Sequence, residues 1–168
     1  MPNAVAYLAL MVWPFVSLML FKALPPDRAV IWSILGGYLF LPPLAEFDLP
    51  LVPDMDKFSI ASLCAFGFAV FLLKDRVPLW PRVWSGRLLM LGFVLGAIPT
   101  VLTNGEPVIF QVMAGSEPIV FETDRLPGLR LIDIASVLSN QMIVLLPFLL
   151  GRVYFATHTG LRELLLAL

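Results

Sequence analysis

Arg125 and Arg130 are the residues of this chain best suited to hold an anion. A guanidinium presents a planar fork of donors that matches phosphate oxygens two at a time. The two arginines lead into a run in which Arg130, Asp133, Ser136 and Asn140 recur every three to four residues. On a helix that spacing puts them on one face. Cations beside a polar helix face suit a diphosphate group. The competing reading is that the arginines pair with Asp124 and Asp133, or touch lipid headgroups.

A second cluster is acidic: Glu46, Asp48, Asp54 and Asp56. Carboxylate oxygens can ligate a hard cation. The spacing lacks the turn glycine and closing glutamate of a calcium loop, so the cluster reads as a solvated loop and no metal site is assigned. Cys64 and His158 are the single cysteine and the single histidine. A disulfide within the chain, a Cys-based zinc site and a multi-His metal cluster are therefore excluded. There is no Gly-rich phosphate loop, nucleophile elbow or H-E-x-x-H pair, and no cofactor is implied.

The elements that must position these residues follow from composition. The chain is 60% hydrophobic and 14% charged, with mean hydropathy +0.92. Soluble domains run at about 45–50% apolar and about 25% charged. The expectation is an all-α polytopic membrane protein, one membrane domain over residues 1–168. A net charge of −1 with scattered Lys and Arg supplies no basic face for nucleic acid. Apolar runs over 3–21, 29–44, 58–73, 88–102 and 131–155 predict about five transmembrane helices, and 161–168 begins another. Crossing the hydrocarbon takes about 20 residues, so the second and third runs are short. The first run has no charge before it and Lys22 after it, which reads as a retained span, not a signal peptide. Residues 130–141 either span or lie along the interface as an amphipathic segment. Gly92 and Gly96 form a G-x-x-x-G pattern that permits close helix approach, and Pro147 predicts a kink.

The longest polar interruption is Thr103 to Asp133. Within it E-P-V-I-F from Glu106 recurs as E-P-I-V-F from Glu117, around Ala114-Gly115-Ser116. Two β-rich runs about a glycine-containing turn predict a β-hairpin, with an irregular loop as the alternative. Basic residues are retained on the cytoplasmic side. Eight of the eleven Lys and Arg fall in alternate connectors, and only Lys57, Arg125 and Arg130 fall on the other side. The N-terminus and the 103–133 loop are thus expected in the periplasm, with Trp80, Trp84 and Tyr154 at the inner interface. The first four runs hold no charged residue, which argues against an ion-coupled carrier.

From Thr103 to Arg152 the wording TNGEPVIF…LPGLRLIDIASVLSNQMIVLLPFLLGR resembles the N-terminal part of bacterial O-antigen ligase and O-antigen polymerase-like proteins, most of all the polysaccharide polymerases of that group. The resemblance implies an inner-membrane glycosyltransferase acting on undecaprenyl-diphosphate-linked glycans at the periplasmic face. Such proteins are much longer, so the chain is expected to be an N-terminal fragment, inactive alone. No catalytic residue carries over, and Arg125 and Arg130 are position-compatible contacts for the diphosphate. The expected partners are membrane lipids, that lipid-linked glycan and partner helices. The alternative is a small non-enzymatic scaffold or assembly subunit that docks through Asp133, Ser136 and Asn140. A transporter subunit ranks below both.

Overall fold

A computed structural model describes residues 4–47, 54–105, 109–114, 117–122, 130–131 and 133–168. Helix α1 runs Ala4–Ala23 with Pro14 inside it. Helix α2, Pro26–Phe40, opens on a proline whose fixed φ suits the first helical position, and Asp27 complements the positive end of its dipole. It ends at Phe40, four residues short of the expected Leu44, and its cap Leu41 is extended as residues before proline prefer to be. Helix α3, Lys57–Gly67, is capped by Asp56, whose Oδ1 accepts from the Ser59 N–H at 2.8 Å. It continues as a π-helical turn, Phe68–Leu72, and stops at Lys74, which takes a left-handed φ of 57°.

The fourth apolar run is broken into α4, Trp84–Leu95, and α5, Ala97–Thr103. Pro99 has no N–H to donate back to Leu95, and Gly96 lies at the break. Two strands follow, β1 (Ile109–Ala114) and β2 (Glu117–Glu122), paired antiparallel with Ile109 opposite Glu122 and Ala114 opposite Glu117. Their connection, residues 115–116, lies outside the described residues. Helix α6, Asp133–Tyr154, is unbroken through Pro147, and α7 is His158–Ala167.

Three of these stretches are long and apolar enough to cross a membrane: Ala4–Ala23, Trp84–Thr103 and Asp133–Tyr154. The expectation of about five spans included two further helices, and both are shorter. At 1.5 Å per residue, α2 with its 15 residues reaches about 22 Å, short of a hydrocarbon core about 30 Å thick. The Lys57–Leu72 helix is likewise shorter than that thickness, and α7 has ten residues and a polar first turn.

The helices pack around α3, which contacts α1, α2 and α6. Ala61, Ala65 and Ala69 recur every four residues on α3, and each is wholly buried. Small side chains on one stripe let backbones approach closely. The expected G-x-x-x-G seam on α4 is not the one used: Gly92 faces open space, and the nearest neighbour of Gly96 is the Gly92 carbonyl of its own helix. Close approach falls instead at Gly37, where an added Cβ would lie 2.5 Å from Ala61 Cβ and 3.0 Å from Trp13 Nε1. Beside it Trp13 donates to the Ser33 carbonyl at 3.2 Å, and the Ser33 hydroxyl donates to Ser17 at 2.9 Å.

The polarity of the bundle is inverted. Among the described residues the buried polar ones are Ser17, Ser33, Ser59 and Ser62, while α1 exposes Val5, Leu8, Val12, Phe15 and Met19 along one stripe. Hydroxyls paired inside and large apolar groups outside suit lipid as the surrounding solvent.

The two ends of the bundle differ in charge. At one end Arg28 pairs with Glu163 across α2 and α7 at 2.7 Å, Tyr154 donates to Asp75 at 2.6 Å, and Arg152 reaches the 78–80 carbonyls. At the other end lie Glu46, Asp54 and Asp56 and the first turns of α6.

Candidate functional site

The site is built from a connector and two helices at the less basic end. Phe47 and Met55 form a β-bridge, exchanging both backbone hydrogen bonds at 3.3 and 3.1 Å. That bridge brings Glu46, Asp54 and Asp56 together. Asp56 is fixed further by its capping bond to Ser59. Helix α3 packs on α6, and the polar face of α6 comes opposite these carboxylates. The result is a cavity of about 320 Å³ lined by Glu46, Asp54, Asp56, Ser59, Ser136 and Asn140, with Val137.

A second cavity of about 310 Å³ shares Asp56, Ser59 and Asn140 with the first. Its other walls are Tyr38, Phe58, Ser62, Ile143 and Val144. Tyr38 holds its place through the Ser62 hydroxyl at 3.3 Å and an edge-on contact with the Phe58 ring, centroids 4.7 Å apart. Together the cavities make a groove with an acidic mouth and an aromatic, apolar floor. Ser59 lies where they meet. It is 3% exposed and lines both cavities. A hydroxyl at such a junction can both donate to and accept from a polar ligand atom.

Lys57 does not neutralise the carboxylates. Its ammonium donates to the Tyr38 carbonyl at 3.1 Å and lies 4.9 Å from the Phe58 ring centroid. Nor do the carboxylates join into a metal centre: among the described residues no group of three His, Cys, Asp or Glu could hold an ion. The groove is therefore an anionic, hydroxyl- and amide-bearing surface for an organic group.

The sequence-derived residues divide. Ser136 and Asn140 line the groove. Asp133 does not; its carboxylate accepts from the Arg130 backbone N–H at 2.6 Å and closes the turn that starts α6. Arg130 is exposed beside that turn, while Arg125 and Asp48 lie outside the described residues. Glu46, Asp54 and Asp56, read from sequence as part of a solvated loop, form one wall of the cavity. Ser59 was missed, although the D-x-x-S spacing from Asp56 is a capping signal that marks the start of α3. No protein-family model matches the chain, and neither does a curated protein or a solved structure.

Proposed function

We propose that this chain is an integral membrane protein of the bacterial inner membrane that handles a lipid-linked glycan, in the manner of polysaccharide polymerase- and ligase-like glycosyltransferases. The observation that carries the reading is the convergence of Glu46, Asp54, Asp56, Ser59, Ser136 and Asn140 on one cavity. Carboxylates, hydroxyls and side-chain amides between them donate to and accept from sugar hydroxyls. A carboxylate in that position can also take the proton of an acceptor hydroxyl. Three negative charges repel a diphosphate, so the undecaprenyl-diphosphate contact falls to Arg130, and with it Arg125, outside the groove. In this reading α2 and the Lys57–Leu72 helix cross with the three long helices, giving about five spans. The N-terminus and the strand pair then face the periplasm.

A photoreactive residue in place of Asn140 should capture a glycolipid in cells. Capture of protein alone would sink the glycan reading. Topology is checked independently by reporter fusions: positions 50 and 115 should report periplasmic, 80 and 158 cytoplasmic. A cytoplasmic report at 115 reverses the orientation.

A second reading, a non-enzymatic scaffold or assembly subunit, rests on a different observation. Only 11% of the apolar window in Trp84–Thr103 is buried within the chain. That helix is free to meet partner helices, and crosslinking from Gly92 should then trap one.

A further inference from the structure

At the basic end of the bundle two guanidiniums hold one connector. Arg87 of α4 donates through Nε to the Pro81 carbonyl at 2.8 Å. Arg152 of α6 donates to the Pro78 and Trp80 carbonyls at 3.4 and 3.5 Å. Neither has a carboxylate partner, since Arg28–Glu163 is the one ion pair among the described residues. Each guanidinium carries five N–H donors, so several remain open. Arg87 lines a cavity of about 360 Å³ with Trp80, Trp84, Leu88 and Leu91. This cavity lies at the start of α4, where Val83 provides no side-chain cap for the free backbone N–H groups.

A second cavity of about 120 Å³ shares Trp80 and Leu91 with the first. It runs between α4 and α6 and is lined by apolar groups, among them Met90, Val94, Met142 and Leu145. Indole rings favour the membrane–water boundary, and basic residues there attract the anionic lipids of the cytoplasmic leaflet. The pattern is a cationic head site that opens directly into an apolar slot.

We propose that the two cavities hold one anionic phospholipid, with its phosphodiester on Arg87 and the start of α4 and an acyl chain between α4 and α6. Arg152 acts as a positioning residue that fixes the 78–81 connector over the slot. The proposal rests on the membrane reading given above, but not on the glycan.

The test uses the full chain purified in a neutral detergent. Native mass spectrometry measures retention of phosphatidylglycerol, of phosphatidylcholine with the same acyl chains, and of glycerophosphoglycerol, which has the headgroup alone. Phosphatidylglycerol should be retained at least fivefold over the other two. Arg87→Gln should lower its retention about fivefold, the effect of one basic group at a lipid surface. Arg82→Gln, an exposed charge on the same connector that lines neither cavity, should change it less than twofold. Equal retention of phosphatidylcholine would overturn the proposal. So would an equal effect of Arg82→Gln, which indicates diffuse attraction, or equal retention of the headgroup alone, which indicates a soluble phosphate ester. Extraction of the chain from membranes by alkaline carbonate would instead sink the membrane reading itself.

Discussion

Gly37 is the tightest point of contact between α1, α2 and α3. A methyl there meets Ala61 at 2.5 Å and the Trp13 indole at 3.0 Å, and neither neighbour is the free end of a flexible chain. Gly37→Ala should therefore cost about 1–3 kcal/mol, the usual range for overpacking. Gly92→Ala should be neutral or stabilising by up to about 1 kcal/mol, because nothing lies within reach and alanine favours helix. Thermal unfolding midpoints in detergent check both, and the sequence pattern by itself predicts the opposite ranking. Both glycine pairs are equally visible in the sequence. Which of them meets a neighbour depends on how each helix is rotated against the others. That is fixed by the Trp13–Ser33–Ser17 hydrogen bonds and the alanines of α3, not by local spacing. Ser59 is a similar case: the Asp56 cap marks its place at the start of α3, but the cavity it lines is completed by α6, more than seventy residues further along.

Among the elements, α7 differs most from its expectation. The sequence suggested the start of a span, but the structure shows a short helix tied to α2 by Arg28 and Glu163. The hydrogen bond from Arg28 lowers the Glu163 carboxyl pKa below its ordinary 4.5, with the charges of Arg28 and Arg162 acting the same way against desolvation. A depressed carboxylate stabilises the folded state above the ordinary value and loses that contribution as pH falls through the lowered one. The α2–α7 contact should therefore hold at neutral pH and loosen in acid. Distance measurements between spin labels on α2 and α7 would follow it, and Glu163→Gln should show the loosened distance at every pH. At the start of α7, Gly160 leaves no room for a side chain against the Tyr154 carbonyl, so the turn from α6 is close-packed. Helix existence was legible throughout, because apolar runs and prolines mark it. Helix ends were less so: Pro42 stops α2 early, and Pro99 with Gly96 splits the fourth run.

At the scale of the whole molecule, the inverted polarity makes a prediction about solvent. A carbene-generating photolabel dissolved in the bilayer should mark Phe15 and Met19 and spare Leu10 and Ser17, which face α2 and α3. Marking of both sets alike would remove the argument that lipid surrounds this bundle. The groove shows where sequence reasoning ran out. Glu46, Asp54 and Asp56 were visible as a cluster, and Ser136 and Asn140 as a helix face, but nothing in the chain states that they converge. Convergence comes from α3 lying between the connector it follows and the helix it packs on. The Phe47–Met55 bridge has a practical consequence for anyone handling this protein. Because Phe47 and Met55 exchange both backbone hydrogen bonds, extra chain inserted between them should leave the groove walls where they are. Doubling the length of a loop costs only about 0.6 kcal/mol in closure entropy. An epitope tag inserted there should leave the unfolding midpoint nearly unchanged, and so provide a purification handle on the face that carries the groove.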